Sequence, residues 1–326
     1  MKAIFALTVL LYFTAIPAFA DIGRQVDLDW PQIIAFATHQ TNYSGTFVYQ
    51  RDGHMESARI THISDQSGEH EKLESMDGPH RAFIRNNDEV LRYSGDKETV
   101  QVEKQYGSKS FPALQPELLS ALNENYLIHT AEQARISGFD TQAIVFQPKD
   151  TLRYTHKMWA HMYSGLLLKA AVLDERKEIV EQYTFIQLNI GGSEIKRTQM
   201  MPVQSTASLE QQSHFAAPSE TSEQAATSEW KVATVPTGFM KIMAKRRPLH
   251  GKKTDVIHFV FSDGLADISV FIETLGNNFD KKLGLSSRGA IHVYSKIKDN
   301  YLVTVVGEVP PLTVMQVADS VRHNGR

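Results

Sequence analysis

Apolar and polar positions alternate along most of this chain in the rhythm of strands, and three stretches carry a helical rhythm instead. Trp30, Ile33, Ile34 and Ala37 follow i, i+3, i+4, i+7 spacing behind Asp29, a natural N-cap, with Pro31 in the first turn, so a helix is predicted there. Short β-rich runs follow, separated by turn chemistry. Gly45–Gln50 leads through Arg51-Asp52-Gly53 into Met55–Ile63, and Glu69–Met76 leads through Asp77-Gly78-Pro79 into His80–Arg85. Asn86-Asn87-Asp88 precedes a further run at Glu89–Tyr93. A helix at Pro116–Asn123 interrupts. The runs Tyr126–Ala131, Thr141–Phe146, Leu152–Tyr163, Leu166–Leu173 and Glu178–Leu188 then continue the meander. Loops this short join antiparallel neighbours. About ten strands with one or two helices fit a strongly curved sheet, or incomplete barrel, wrapped around a helix.

Gln204 to Ser228 breaks the pattern. It is rich in Ser, Thr, Gln, Glu and Ala, and Leu209 and Phe215 are its only large apolar residues. Burial there cannot offset the entropy of ordering, which predicts a flexible linker over 204–228. Beyond it, Val256–Phe261, Leu265–Glu273, Ala290–Ile297 and Leu302–Glu308 read as strands, with a hairpin turn at Ser262-Asp263-Gly264. A last helix follows Pro310-Pro311, where Thr313 and Gln316 make a capping box and Val314, Val317, Ala318 and Val321 one apolar face. The expected fold is mainly β in two domains: an unclosed antiparallel barrel wrapping helices over 21–203, and a small α+β unit with an antiparallel sheet over 229–326.

The first twenty residues belong to neither domain. Lys2 precedes an apolar run, Ala3 to Ile16, and Pro17 with Ala18-Phe19-Ala20 supplies the small-x-small pattern of a cleaved export signal at 1–20. The run is shorter than the roughly 20 residues a spanning helix needs. The chain has no cysteine, which excludes disulfides, thiol catalysis, Cys-ligated metal and a lipidated N-terminal Cys. The net charge of −3 conceals an asymmetry. Residues 21–204 hold 19 Lys and Arg against 25 Asp and Glu, whereas residues 229–326 hold 14 against 9. Opposite signs on two domains imply different partners or a charge-assisted contact between them. An exported protein has no nucleic acid to meet, so the basic half is not read as a nucleic-acid site.

Catalytic spacing is missing: no H-E-x-x-H, G-x-S-x-G, Walker A or G-x-G-x-x-G pattern occurs. No catalytic residue, metal or cofactor is assigned. His54, His62, His70, His80, His156 and His161 lack the i, i+4 pairing of helical metal ligands and read as surface or turn residues. Two features point to binding. Phe47, Tyr49, Met158, Trp159, Met162, Tyr163, Leu166 and Leu168 give the meander an apolar surface that forms either ordinary core or a concave site for an acyl chain or a partner segment. Lys241, Lys245, Arg246, Arg247, Lys252 and Lys253 place six bases within thirteen residues, either a solvated loop or a site for an acidic peptide or lipid phosphate.

Longer motifs then become familiar. Asn42-Tyr43-Ser44-Gly45-Thr46-Phe47-Val48-Tyr49, Met76-Asp77-Gly78-Pro79 with Arg81, and Arg85-Asn86-Asn87-Asp88-Glu89-Val90 resemble the MucB/RseB family. So do Ser164-Gly165-Leu166-Leu167-Leu168-Lys169 and Leu173-Asp174-Glu175 with Glu181-Gln182. In the second half Pro236-Thr237-Gly238-Phe239, Ser262-Asp263-Gly264-Leu265-Ala266, Ser269–Glu273, Arg288-Gly289-Ala290 and Val303–Pro310 match in the same order. The resemblance implies a periplasmic regulator of the envelope-stress sigma factor, with a lipoprotein-carrier-like first domain. Such a protein binds the periplasmic segment of a transmembrane anti-sigma factor and shields it from site-1 proteolysis. Lipopolysaccharide or mislocalised lipoprotein acyl chains would loosen that grip. The resemblance does not assign contact residues, and a homo-oligomer is compatible with it. A periplasmic lipid or lipoprotein carrier is the alternative, and it needs only the first domain.

Overall fold

A computed structural model describes residues 28–87, 89–94, 99–104, 114, 116–191, 229–247, 255–275 and 283–324. The predicted export signal and linker lie outside the described residues, as do Asp88, Lys252, Lys253 and the side chain of Arg247. The protein is mainly β. Helix α1 (Trp30–Gln40) precedes strands β1 (Tyr43–Arg51), β2 (His54–Asp65), β3 (Gly68–Ser75), β4 (Arg81–Asn86), β5 (Glu89–Ser94) and β6 (Thr99–Lys104). A 3₁₀ turn (Pro116–Leu118) and α2 (Leu119–Asn125) lead into β7 (Tyr126–Ile136), β8 (Phe139–Pro148), β9 (Thr155–His161), β10 (Leu167–Leu173) and β11 (Ile179–Ile190).

These eleven strands form one sheet in the order β6-β5-β4-β3-β2-β1-β11-β10-β9-β8-β7, antiparallel throughout. The outermost strands β6 and β7 do not pair with each other, so the barrel is unclosed. Its inner face carries Phe47, Ile60, Ile144, Phe146, Met158, Ala170 and Phe185, and α1 and α2 lie against that face through Trp30, Ile34, Ala35 and Leu122. Helix α1 starts as predicted. The Asp29 carboxylate accepts the Gln32 amide at 3.2 Å, and Pro31 needs no N–H there.

The second sheet has β13 (Met240–Arg247), β14 (Val256–Ser262), β15 (Asp267–Thr274), β16 (Gly284–Arg288), β17 (Ile291–Lys298) and β18 (Tyr301–Gly307) in the order β13-β14-β15-β18-β17-β16. Helix α3 (Pro311–Ser320) packs Val314, Val317 and Ala318 against Ile268, Val270, Val303 and Val305. A two-stranded ribbon, β12 (Trp230–Val232) with β19 (Val321–His323), closes that core with Trp230. The predicted capping box of α3 does not form. Its N-cap is Pro310 with no side-chain cap, because the Thr313 hydroxyl donates instead to the Leu152 carbonyl of the first domain at 2.9 Å. The basic segment read as a loop is in part the edge strand β13, in which Lys241, Lys245 and Arg246 pair with Phe261, His258 and Ile257.

Candidate functional site

The eight apolar candidates divide by strand parity. Phe47, Met158, Leu166 and Leu168 are buried in the inner core, and Tyr49 packs against it while stacking on Tyr183 at 4.5 Å. Trp159 follows Met158 in a strand, so its side chain leaves by the opposite face. It packs with Ala143 and Ala171 in a separate outer cluster, with Lys157 and Lys169 over its ring at 5.0 and 4.7 Å. Met162 and Tyr163 lie beyond β9 in the turn to β10, and Tyr163 is 90% exposed. They line a hollow of about 430 Å³ together with Gln133, Ala134, Arg135 and Asp140, apart from the interior. The concave apolar surface is therefore present, but the chain's own α1 and α2 fill it.

A third insert fills it as well. Leu265 belongs by sequence to the second domain, yet it is 5% exposed and packs in the first domain's core. It sits on the β14–β15 turn beside Asp263, whose carboxylate is the centre of the joint between domains. Asp263 Oδ1 accepts the amides of Leu265 and Ala266 at 3.0 and 2.9 Å. Its Oδ2 accepts Tyr126 Oη and Arg153 Nε, both at 2.8 Å. A buried carboxylate is stable when donors occupy both oxygens, and here they do.

Arg153 is equally well served. Its remaining nitrogens donate to Asp150 and to the Thr237 carbonyl, and its guanidinium lies 5.0 Å from the Phe239 ring centroid. Burial works against its charge, but Asp263 together with Tyr126 and Asp150 outweighs burial and raises the Arg153 pKa. Burial, reinforced by the same carboxylate, holds the Tyr126 hydroxyl well above the ordinary tyrosine value. This joint orients and locks; it has no nucleophile and base arranged for chemistry.

Two glycines let the backbones approach. Gly238 has φ +87°, and a Cβ there would stand 1.9 Å from the Asn125 amide. Gly264 has φ +96°, and a Cβ would stand 3.0 Å from Leu118 Cβ. On the other side of the joint the Gly289 amide donates to Asp52 at 2.7 Å, and the Ala290 amide to buried Glu181 at 3.3 Å. The motifs Pro236–Phe239, Ser262–Ala266 and Arg288–Ala290 are thus the segments that grip the first domain. Sequence reasoning read Ser262-Asp263-Gly264 as a hairpin turn only. The one available signal was Leu265, a large apolar residue at a hairpin end that normally faces water.

Residues 27–204 match the family model of the MucB/RseB N-terminal domain, and residues 224–322 match that of the MucB/RseB C-terminal domain. The chain belongs to the MucB/RseB family. It is 27% identical over 299 residues to the sigma factor AlgU regulatory protein MucB of Pseudomonas aeruginosa, covering 90% of each chain. It is 26% identical to the sigma-E factor regulatory protein RseB of Salmonella typhimurium, over 89% of each. Among solved structures it is similar to a P. aeruginosa MucA/MucB complex, with a TM-score of 0.70 at 26% identity over 90% of this chain and 98% of that one. A crystal structure of MucB in complex with MucA(peri) matches with a TM-score of 0.68. Family membership accounts for the collinear motifs.

The basic candidates lie apart from the joint's centre. Lys241 is exposed on β13, Lys245 is half-buried, and Arg246 pairs with Glu229 at 2.7 Å. The histidines also depart from the sequence reading. His62 is fully buried and His156 nearly so, because inward strand positions enclose whatever side chain they carry. Among the described residues no group of three or more His, Asp or Glu side chains is arranged to hold a metal ion.

Proposed function

We propose that this protein is a non-enzymatic periplasmic regulator. It binds the periplasmic segment of a transmembrane anti-sigma factor, shields that segment from site-1 proteolysis and so restrains an envelope-stress sigma factor. The observation that carries this reading is the two-domain similarity to MucB bound to MucA, which extends over 98% of that MucB chain. Support also comes from the sequence at Ala3–Ala20, read as an export signal.

The interior of the half-barrel supplies a route for release. Leu265 shares the inner core with Phe47, Met158 and Leu166. An acyl chain entering that core must displace Leu265 or the helices. Lipopolysaccharide or a mislocalised lipoprotein would then compete with the docked arrangement of the domains. If the docked arrangement is the one that holds the anti-sigma segment, lipid and segment are negatively coupled ligands of one protein. The basic residues Lys241, Lys245, Arg246, Arg247, Lys252 and Lys253 remain the proposed contact for acidic groups of either partner.

The test is protection. The purified anti-sigma periplasmic segment is digested by the site-1 protease with and without this protein, and then with lipopolysaccharide added. Slowed cleavage that lipid restores supports the reading. Cleavage unaffected by the protein contradicts it and favours a carrier of lipid or lipoprotein.

A further inference from the structure

The inner face of the β1–β4 wall carries a row of polar side chains with no part in the domain joint. Tyr43, His62, Glu71 and Arg85 face one another across β1, β2, β3 and β4 in direct register. His62 is fully buried and stacks on Tyr43 with ring centroids 5.2 Å apart. Its Nδ1 lies 2.9 Å from the Thr41 carbonyl and its Nε2 lies 3.0 Å from Glu69 Oε1. Both neighbours are acceptors. A neutral imidazole has one N–H and can satisfy one of them, whereas the doubly protonated ring satisfies both.

Glu69 gathers further donors. His39 Nδ1, in the last turn of α1, lies 3.1 Å from each carboxylate oxygen. Arg85 Nη2 lies 3.6 Å from Glu69 and 3.3 Å from Glu71. The groups acting on His39 from the packed elements are thus Glu69 on β3, Arg85 on β4 and Glu117 of the 3₁₀ turn, and His62 on β2 shares Glu69 with it.

We propose that His39, Glu69 and His62 form a proton-dependent latch that pins the end of α1 to the sheet, complete while His62 carries both ring protons and Glu69 is ionised, and strengthened when His39 is charged. Raising the pH removes the protons, leaves a part-buried acceptor of His62 unpaired and loosens the last turn of the helix that covers the half-barrel. An exported protein meets the pH of its surroundings, so this latch adds an input separate from any partner. The inference rests on hydrogen-bond geometry and does not need the proposed binding role.

The electrostatics agree in sign. The hydrogen bond to Glu69 raises the His39 pKa above its ordinary 6.5, with burial opposing. Burial alone would raise the Glu69 pKa, but the His39 and His62 hydrogen bonds outweigh it and hold the carboxyl below its ordinary 4.5. A raised histidine contributes stability that is full below its unfolded value and is lost as pH rises through the folded one. A depressed carboxylate contributes stability that is present above its unfolded value and lost as pH falls through the folded one. The latch is therefore strongest between about 4.5 and 6.5 and weakens above that window.

Long-range proton–nitrogen spectra of the ¹⁵N-labelled full chain, recorded from about pH 5 to about pH 9, read the protonation of each ring directly. Within that window His62, both of whose nitrogens face acceptors, is expected to show two protonated nitrogens. Protection of the amides in the last turn of α1, corrected for intrinsic base-catalysed exchange, should fall as the latch opens. Glu69→Gln should remove both effects, and His39→Asn should remove the exchange effect even if the first variant folds poorly. A single-N–H tautomer at His62 at about pH 5.5, inside that window, or α1 protection with the same pH profile in His39→Asn, overturns the proposal.

Discussion

Arg153 and Asp263 lie 110 positions apart in the chain and in different domains, yet their side chains meet at 2.8 Å with neither exposed to solvent. A pair of this kind holds because every remaining donor and acceptor is served. Asp263 takes two backbone amides and the Tyr126 hydroxyl, while Arg153 reaches Asp150 and the Thr237 carbonyl. The energetic weight falls on completeness, because removing one member leaves the other buried with its charge only partly answered.

Asp263→Ala is accordingly expected to cost about 3–5 kcal/mol in urea unfolding. The double replacement Arg153→Met with Asp263→Leu is expected to cost less than the single change. A single variant as stable as the parent shows that the joint opens freely in solution.

Leu265→Ala should destabilise the first domain although it lies in the second, by about 2–5 kcal/mol. Tryptophan fluorescence reports both cores, since Trp30 lies in the first and Trp230 in the second. Loss confined to the Trp230 core contradicts the placement of Leu265.

Gly238→Ala places a Cβ against the Asn125 amide and requires a positive φ of an L-residue. Loss of at least about 1 kcal/mol is expected, and loosening of the domains should be visible as a larger radius in small-angle scattering. An unchanged radius with unchanged stability indicates that the backbone there is freer than the geometry implies.

Thr313→Val removes the hydroxyl that crosses from α3 to the Leu152 carbonyl, with an expected loss of about 1 kcal/mol in thermal unfolding. Thr313→Ser keeps the hydroxyl and should retain most of that stability. Loss in Thr313→Ser with none in Thr313→Val assigns the effect to packing of the methyl group.

Much of the fold was legible because one face of each strand is buried, so parity shows in the residues. The meander from Tyr43 to Asn86 and the strands β7 to β11 were read within a few positions, as was α1 behind Asp29. Strands β6, β13 and β16 escaped, and all three lie at sheet edges, where polar and charged residues dilute the apolar pattern even though Val100 and Val102 still alternate in β6. The apolar candidates were legible only as a group. Local pattern shows that Met158 and Trp159 point apart, but it does not say which face has helices over it.

The domain joint was hidden for a different reason. Asp263 and Thr313 have local readings, a turn residue and a helix cap, that are sufficient in isolation. Only long-range packing reveals that Tyr126, Arg153 and Leu152 claim them instead. The buried histidine His62 was misplaced for the same cause, since nothing local distinguishes an inward strand position that Glu69 can serve from a surface one.

On the proposed function this chain grips an anti-sigma segment, and the docked two-domain form is the state expected to hold it. Calorimetric titration of the mature protein with the isolated periplasmic segment of its own anti-sigma factor, with and without lipopolysaccharide, tests it most directly. Stoichiometric binding is expected, weakened by lipopolysaccharide and also by Asp263→Ala. No heat of binding at any lipid level, from protein shown to be folded, contradicts it.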